Sequence, residues 1–484
     1  MTKPRTSRPE TSRTAPQTTR PHAPTARKSA PTQAAPKSQP RTQKEQSRTG
    51  TQSRPQPQTP PAAPGQIHIG TQPGARINRR AADRLRAGFL WVYASDIESI
   101  ELLSTDDSPA LLPVADQRGL LLGTALYSPT SQIALRIVVR EAINEAQWLE
   151  ILASRLRTAI DRRRPMLSDQ TDSVRLCFSE ADELPGIVVD KYGDLIILQL
   201  LAKGLDSAAV RATCVRVLSE ELVPLVILER PDPRMRELEG LSAPSLEPLY
   251  RASDQQAPVT STQFHLNGLL FHYDAGAGQK TGAFLDQRSN YAAAADWARR
   301  LGAGKWEGGG RALDVCCYQG GFALHLAQVC KQVTGIDASR TSLEVAERNL
   351  VANRDLLTAQ VDWVEADAFQ ILRDWSTAGE KFDVIVLDPP AFAKTKRAVE
   401  GALRGYKELN LRALRMLRPG GLLITCSCSH HVGWEELEAS VSSAAADLPR
   451  RVRLLERRGA SIDHPVLLNL PETEYLKCLV LEVE

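Results

Sequence analysis

Cysteine is scarce in this chain, and its spacing suits no structural role. The 484 residues hold eight, with Cys316 and Cys317 adjacent and Cys426 and Cys428 one residue apart, so no disulfide framework or zinc spacing is visible. A reducing, cytoplasmic setting is expected. His430 and His431 follow the second pair, but adjacent histidines after a strand do not converge on one ion, and no metal site is expected. No apolar run is long enough to span a bilayer and no signal-type apolar segment is seen, which argues against a membrane role. The first 65 residues lack Phe, Trp and Tyr. They hold 13 of the 31 prolines, and eight Arg and four Lys against Glu10 and Glu45. Residues 1–66 therefore read as a disordered basic tail that cannot offset the entropy of folding. Contact with a nucleic-acid backbone, simple solubilisation and organelle targeting are its open roles, the first suited by its charge.

What remains carries 48 basic and 55 acidic residues and is long enough for several cores. Residues 67–140 contain strand-like runs at 120–125 and 133–139 around a Tyr127-Ser128-Pro129-Thr130 turn, a small β domain. Residues 141–275 open with a helical stretch, Glu145 to Arg164, whose Trp148, Leu149, Leu152, Leu156 and Ile160 share a face. Strand pairs around a helix follow, with a hairpin signal at Lys191-Tyr192-Gly193-Asp194, giving a central α+β domain. From 276 to 484 strands at 311–317, 332–337, 360–366, 382–388 and 421–428 alternate strictly with helices. That pattern predicts an α/β, Rossmann-like domain with a parallel sheet.

Two other absences narrow the ligand of that sheet. The turn after the first strand, Cys316-Cys317-Tyr318-Gln319-Gly320-Gly321-Phe322, lacks G-x-G-x-x-G, and no G-x-x-x-x-G-K-[ST] loop occurs, so no phosphate cradle is indicated. Asp314, Asp337, Asp367 and Asp388 fall at four successive strand ends. Asp337 lies 23 residues after Asp314, a spacing suited to a carboxylate on ribose hydroxyls, and Asp367 is placed for an adenine edge. A nucleoside cofactor without phosphates, S-adenosylmethionine, fits best, with Tyr318, Gly320 and Gly321 as the close-approach turn.

Two polar clusters sit where such sheets place ligands. Asp388-Pro389-Pro390-Ala391-Phe392 closes one apolar run and Thr425-Cys426-Ser427-Cys428-Ser429-His430 closes another. Either Cys426 or Cys428 is a candidate nucleophile, or both are small buried hydrophobes. Phe392 is a stacking surface for an extruded base or a core residue.

The stretch Gly278-Gln279-Lys280-Thr281-Gly282-Ala283-Phe284-Leu285-Asp286-Gln287-Arg288 is the most telling of several. Taken with Tyr318-Gln319-Gly320-Gly321-Phe322, Asp388-Pro389-Pro390-Ala391-Phe392, Ser427-Cys428-Ser429 and Asp463-His464-Pro465, it resembles the class I S-adenosylmethionine-dependent methyltransferases. More narrowly, residues 74–484 are similar to the bacterial 23S rRNA large-subunit (cytosine-5) methyltransferase I family, whose order is a PUA domain, a central domain and the methyltransferase. Phe89-Leu90-Trp91-Val92-Tyr93 and Asp190-Lys191-Tyr192-Gly193 carry the likeness through the first two parts.

The resemblance implies Cys428 as the nucleophile that adds to cytosine C6, with Cys426 as its backup and Asp388 at the base edge. It also implies Gln279, Lys280, Thr281 and Arg288 beside the cofactor, and Pro389, Pro390 and Phe392 beside the substrate. Many C5 enzymes carry a second Cys after the motif's prolines, where this chain has Ala391. The expected partner is 23S rRNA or a precursor of the large ribosomal subunit, and a homodimer is compatible with this reading. The competing readings are an rRNA purine N-methyltransferase that needs no thiol and an inactive RNA-binding assembly factor.

Overall fold

The computed structural model describes residues 74–102, 110–252, 260–276, 283–357 and 359–484. The expected basic tail and the proposed cofactor residues Gln279, Lys280 and Thr281 lie outside the described residues.

Residues 74–139 fold as a six-stranded sheet with one helix, Arg79–Arg86. Asn78 starts that helix by accepting a 2.9 Å bond from the Ala81 amide, and Ala81, Ala82 and Leu85 turn inward onto the sheet. Two polar contacts tie this part to the next. Arg136 pairs with Glu239 at 2.8 Å, both buried, and Trp91 Nε1 donates to Glu180 at 2.8 Å.

The amphipathic stretch forms the helix Glu145–Arg163, begun by a reciprocal Asn144–Gln147 capping box. Trp148, Leu152, Leu156 and Ile160 are buried, while Leu149 lies at the margin of that face. A five-stranded sheet and the helix Ala208–Leu222 complete this part, and the predicted hairpin is present as Ile187–Tyr192 paired antiparallel with Leu195–Leu200. A second hairpin, Ser261–Leu266 with Leu269–Asp274, places Phe264 and Phe271 in one core with Tyr192 and with Phe322 and Val384 of the third part.

The third part is a seven-stranded sheet. Its strands are β1 (Arg311–Val315), β2 (Gln332–Asp337), β3 (Gln360–Glu365), β4 (Phe382–Leu387), β5 (Leu417–Ser427), β6 (Val452–Arg458) and β7 (Lys477–Val483), in spatial order β3-β2-β1-β4-β5-β7-β6. All six residues of β4 are buried, as a strand covered by helices on both faces requires. The expectation of strict alternation fails at the end of the chain. β7 runs antiparallel to both β5 and β6, because after β6 the chain returns without a crossover helix. β5 also begins four residues before the expected 421, with Pro419-Gly420-Gly421 as an irregularity inside it and Gly420 at φ 74°. The chain order reverses beside β1, so the crevice opens at the carboxyl ends of β1, β2, β4 and β5.

Candidate active site

A cavity of about 1090 Å³ lies at these strand ends. Its first half is shaped by backbone. After β1 the chain turns through Cys316 (φ 63°), Tyr318 (φ 50°) and Gly320 (φ 84°), two of them residues that seldom adopt positive φ. Asp337, the last residue of β2, holds this turn: its carboxylate accepts from the Tyr318 amide at 2.9 Å and the Ser339 amide at 2.8 Å. Asp367 caps the helix Ala368–Ala378 by accepting from the Gln370 amide at 2.9 Å. It sits two residues beyond β3 rather than at its end.

Not every candidate lines the cavity. Tyr318, Gly321, Asp337, Asp367, Asp388, Pro389, Pro390, Phe392 and Cys428 do. Asp314 lies inside β1, fully buried beneath the floor, where it accepts from the Ala323 amide at 2.8 Å and starts the next helix. Burial, with Asp388 and Asp337 nearby, pushes its carboxyl well above the usual range. It holds the glycine turn and does not line the cavity. Gly320 bends the chain below the lining. Gly321 lines the cavity but also answers a packing demand, since a Cβ there would overlap the Tyr291 ring.

Arg288 does not line the cavity. It is buried and pairs with Asp463 at 3.4 Å, and Asp463 also accepts from the Arg175 amide at 3.0 Å. Asp463, which Arg288 holds, therefore ties the third part to the central one. His464 is likewise buried there, 3.2 Å from Asp463 and against Phe178.

The second half is shaped by side chains. Cys428 sits one residue past β5, partly exposed, with its sulfur 3.9 Å from the Pro389 carbonyl. The serines on either side of it are anchored. Ser427 Oγ donates to Tyr406 Oη at 2.8 Å, Tyr406 Oη lies 2.9 Å from Ser429 Oγ, and Ser429 Oγ accepts from the Ala393 amide at 3.2 Å. Cys426 is fully buried opposite Cys478 and does not line the cavity. Burial and the Cys478 thiol push its own thiol well up, so it lacks both access and ionisation. Phe392 packs on Tyr406 and Phe369, with ring centroids 4.9 and 5.8 Å away, while keeping one side on the cavity.

Sequence reasoning missed Gln287, although it stands within the most telling stretch. It is buried, and its Nε2 donates to Asp388 at 3.0 Å while its Oε1 accepts from Asn290 at 2.7 Å, fixing the amide's orientation. Asp286 and Tyr475 were missed as well. They share a 2.5 Å bond on the cavity wall. Its place in that stretch was the only local signal for Gln287. Tyr475 carried none, because it arrives from a distant loop.

Residues 75–140 match a PUA-like domain, and residues 253–465 match the S-adenosylmethionine-dependent methyltransferase family. The chain is 35% identical over 393 residues to the ribosomal RNA large subunit methyltransferase I of Tolumonas auensis, covering 81% of this chain and 94% of that one. It is 35% identical over 419 residues to the protein of that name from Shewanella denitrificans, covering 86% and 99%. The chain belongs to the ribosomal RNA large subunit methyltransferase I family. A solved methyltransferase complexed with SAH shares the fold, with a TM-score of 0.69 at 18% identity over 85% of this chain and 100% of the other. A methyltransferase from Streptococcus mutans does so at a TM-score of 0.67 and 19% identity.

The cavity fits the family's cofactor. Asp274, Asp286, Asp337, Glu344, Asp367 and Asp388 line it against a single Arg348 among the described residues. Such a wall favours a sulfonium, an ammonium and ribose hydroxyls, and repels a phosphate-bearing nucleotide. Asp337, Asp367 and the apolar Ile336, Ala366 and Ala368 line this same end of the cavity.

Proposed function

We propose that this enzyme forms 5-methylcytosine in large-subunit ribosomal RNA through a covalent adduct with Cys428. The observation that carries this reading is a partly exposed thiol on the same wall as Asp388, Pro389 and Pro390, at the mouth of a cavity suited to S-adenosylmethionine. The names of the relatives supply the RNA, and the PUA-like part supplies a second surface for it.

Cytosine C5 is a weak nucleophile. When the Cys428 sulfur bonds to C6, the ring electrons shift to C5, which becomes enamine-like and able to take an electrophilic methyl. S-adenosylmethionine, when bound, supplies that methyl group. Asp388 faces the base edge, held in orientation by Gln287, and shares a proton with the ring as the adduct forms. Solvent water then takes the C5 proton, the electrons of that bond restore the C5–C6 double bond, the C6–S electrons return to sulfur, and Asp388 recovers the ring proton. Phe392 offers its free side to the extruded base, and its packed side keeps the Pro389-Pro390 turn rigid.

A nucleoside digest of large-subunit RNA, from cells with and without the enzyme, tests the reading. The expected result is a 5-methylcytosine present only with the enzyme and absent with Cys428→Ala. A methylated guanine or adenine that persists in Cys428→Ala would replace it with direct amine methylation by the Asp388-Pro389-Pro390 turn. Failure to bind S-adenosylmethionine would leave only an RNA-binding role.

A further inference from the structure

A nucleophilic thiol needs a source of positive charge, and the cavity is acidic. Asp388 on the same wall adds negative rather than positive charge, and the Tyr406 and Tyr475 hydroxyls are pushed up by burial and stay neutral. Burial, His431 and Lys477 hold His430 below the usual imidazole range, so at neutral pH it adds no charge.

Lys477 is the cation that the fold places against the Cys428 segment. It opens β7 directly opposite Ser427, the residue before Cys428, and is only 3% exposed. Its Nζ donates to the Ser429 carbonyl at 3.0 Å and the Tyr475 carbonyl at 2.9 Å. An ammonium has three donors, so two are used on the backbone around Cys428 and one is left. Among the described residues no carboxylate stands within 4 Å of this ammonium. The two acids in its field are exposed and engaged elsewhere: Glu474 accepts from Trp434 Nε1 at 2.9 Å, and Glu436 from the Gly433 amide at 3.0 Å. Buried ammonium groups are normally paired with an anion. Burial pushes the Lys477 ammonium below its usual range, and beside those two acids the group whose charge opposes that shift is Cys428 itself.

We infer that Lys477 is the counter-ion of the Cys428 thiolate, a positioning residue that keeps the nucleophile ionised before RNA arrives. The inference rests on Cys428 being the nucleophile, but its test does not use methylation. The full chain and its Lys477→Met and Lys477→Arg variants are alkylated with iodoacetamide from about pH 5 to about pH 10, bracketing the free-thiol value of about 8.5. Modification of Cys428 is read by peptide mass spectrometry.

The unaltered chain is expected to react with a midpoint at least about one pH unit below that of a free thiol. Lys477→Met is expected to raise the midpoint by about one to two units, and Lys477→Arg to restore most of the shift. Superimposed profiles for the unaltered chain and Lys477→Met would overturn the inference. So would a midpoint at or above the free-thiol value in the unaltered chain, a result that needs no variant to fold. If Cys428→Ala still methylates RNA, the nucleophile reading falls, whereas the ion pair stands or falls on the alkylation profile.

Discussion

The two halves of the cavity are built by opposite means. At β1 to β3 the shape comes from backbone: positive-φ residues in the turn, amides gathered by Asp337, and a helix started by a buried Asp314. At β4 and β5 it comes from side chains. Tyr406 joins Ser427 to Ser429, Gln287 orients Asp388, and Lys477 reaches across from β7. A half that grips a cofactor needs shape and fixed acceptors, which backbone supplies. In the proposed reaction the other half makes and breaks bonds, which needs a thiol, a carboxyl and a cation at set places that backbone cannot supply.

Four measurements sharpen or break that contrast. Cys428→Ala is expected to lower methyl transfer by at least about 10³-fold in single-turnover assays while leaving cofactor affinity within about twofold. An equal loss of both would mean that the halves are not separable.

Asp463→Ala comes next. It removes the carboxylate shared by Arg288, His464 and the Arg175 amide behind both halves, and should cost about 3–5 kcal/mol in urea unfolding. Burial raises the Asp463 carboxyl, but the His464 bond, the Arg288 charge and the Arg175 amide outweigh it, so the folded value lies below the unfolded one. Its stabilisation is therefore complete above the unfolded value of about 4 and is lost as pH falls through the folded value. The variant should show a flatter acid limb in stability against pH.

Asp337→Asn should weaken S-adenosylmethionine binding roughly tenfold by calorimetry, since one charge-assisted acceptor is lost, with little change in the bound complex's rate. The smallest effect is expected for Cys426→Ala. It should cost about 1 kcal/mol of stability in a melt and leave methyl transfer nearly intact. A large catalytic loss there would return Cys426 to the reaction.

Much of the cofactor half was legible along the chain, because a parallel α/β sheet ties local pattern to position. Asp337 after an apolar run and glycines after another are placed by strand periodicity alone. The failures there are instructive. Asp314 and Arg288 carry the expected residue types, yet each is spent on holding structure, and only burial distinguishes a carboxylate under the floor from one facing the cavity. The catalytic half was legible in its two motifs, Asp388-Pro389-Pro390 and Ser427-Cys428-Ser429, but not in what supports them. Gln287 lies 101 residues from Asp388, and Lys477 lies 48 residues from Ser429. No local rule links residues so far apart.

The sequence by itself therefore determined the class of sheet, the acidic strand ends and the pair of thiols beyond an apolar run, since periodicity and turn chemistry act over a few residues. Only the tertiary structure separates the surroundings of those thiols. Cys426 faces Cys478 in the antiparallel pairing of β5 with β7, while Cys428, one step past the strand, emerges beside Pro389. That antiparallel return, which alternation did not foretell, buries one sulfur and brings Lys477 to the other.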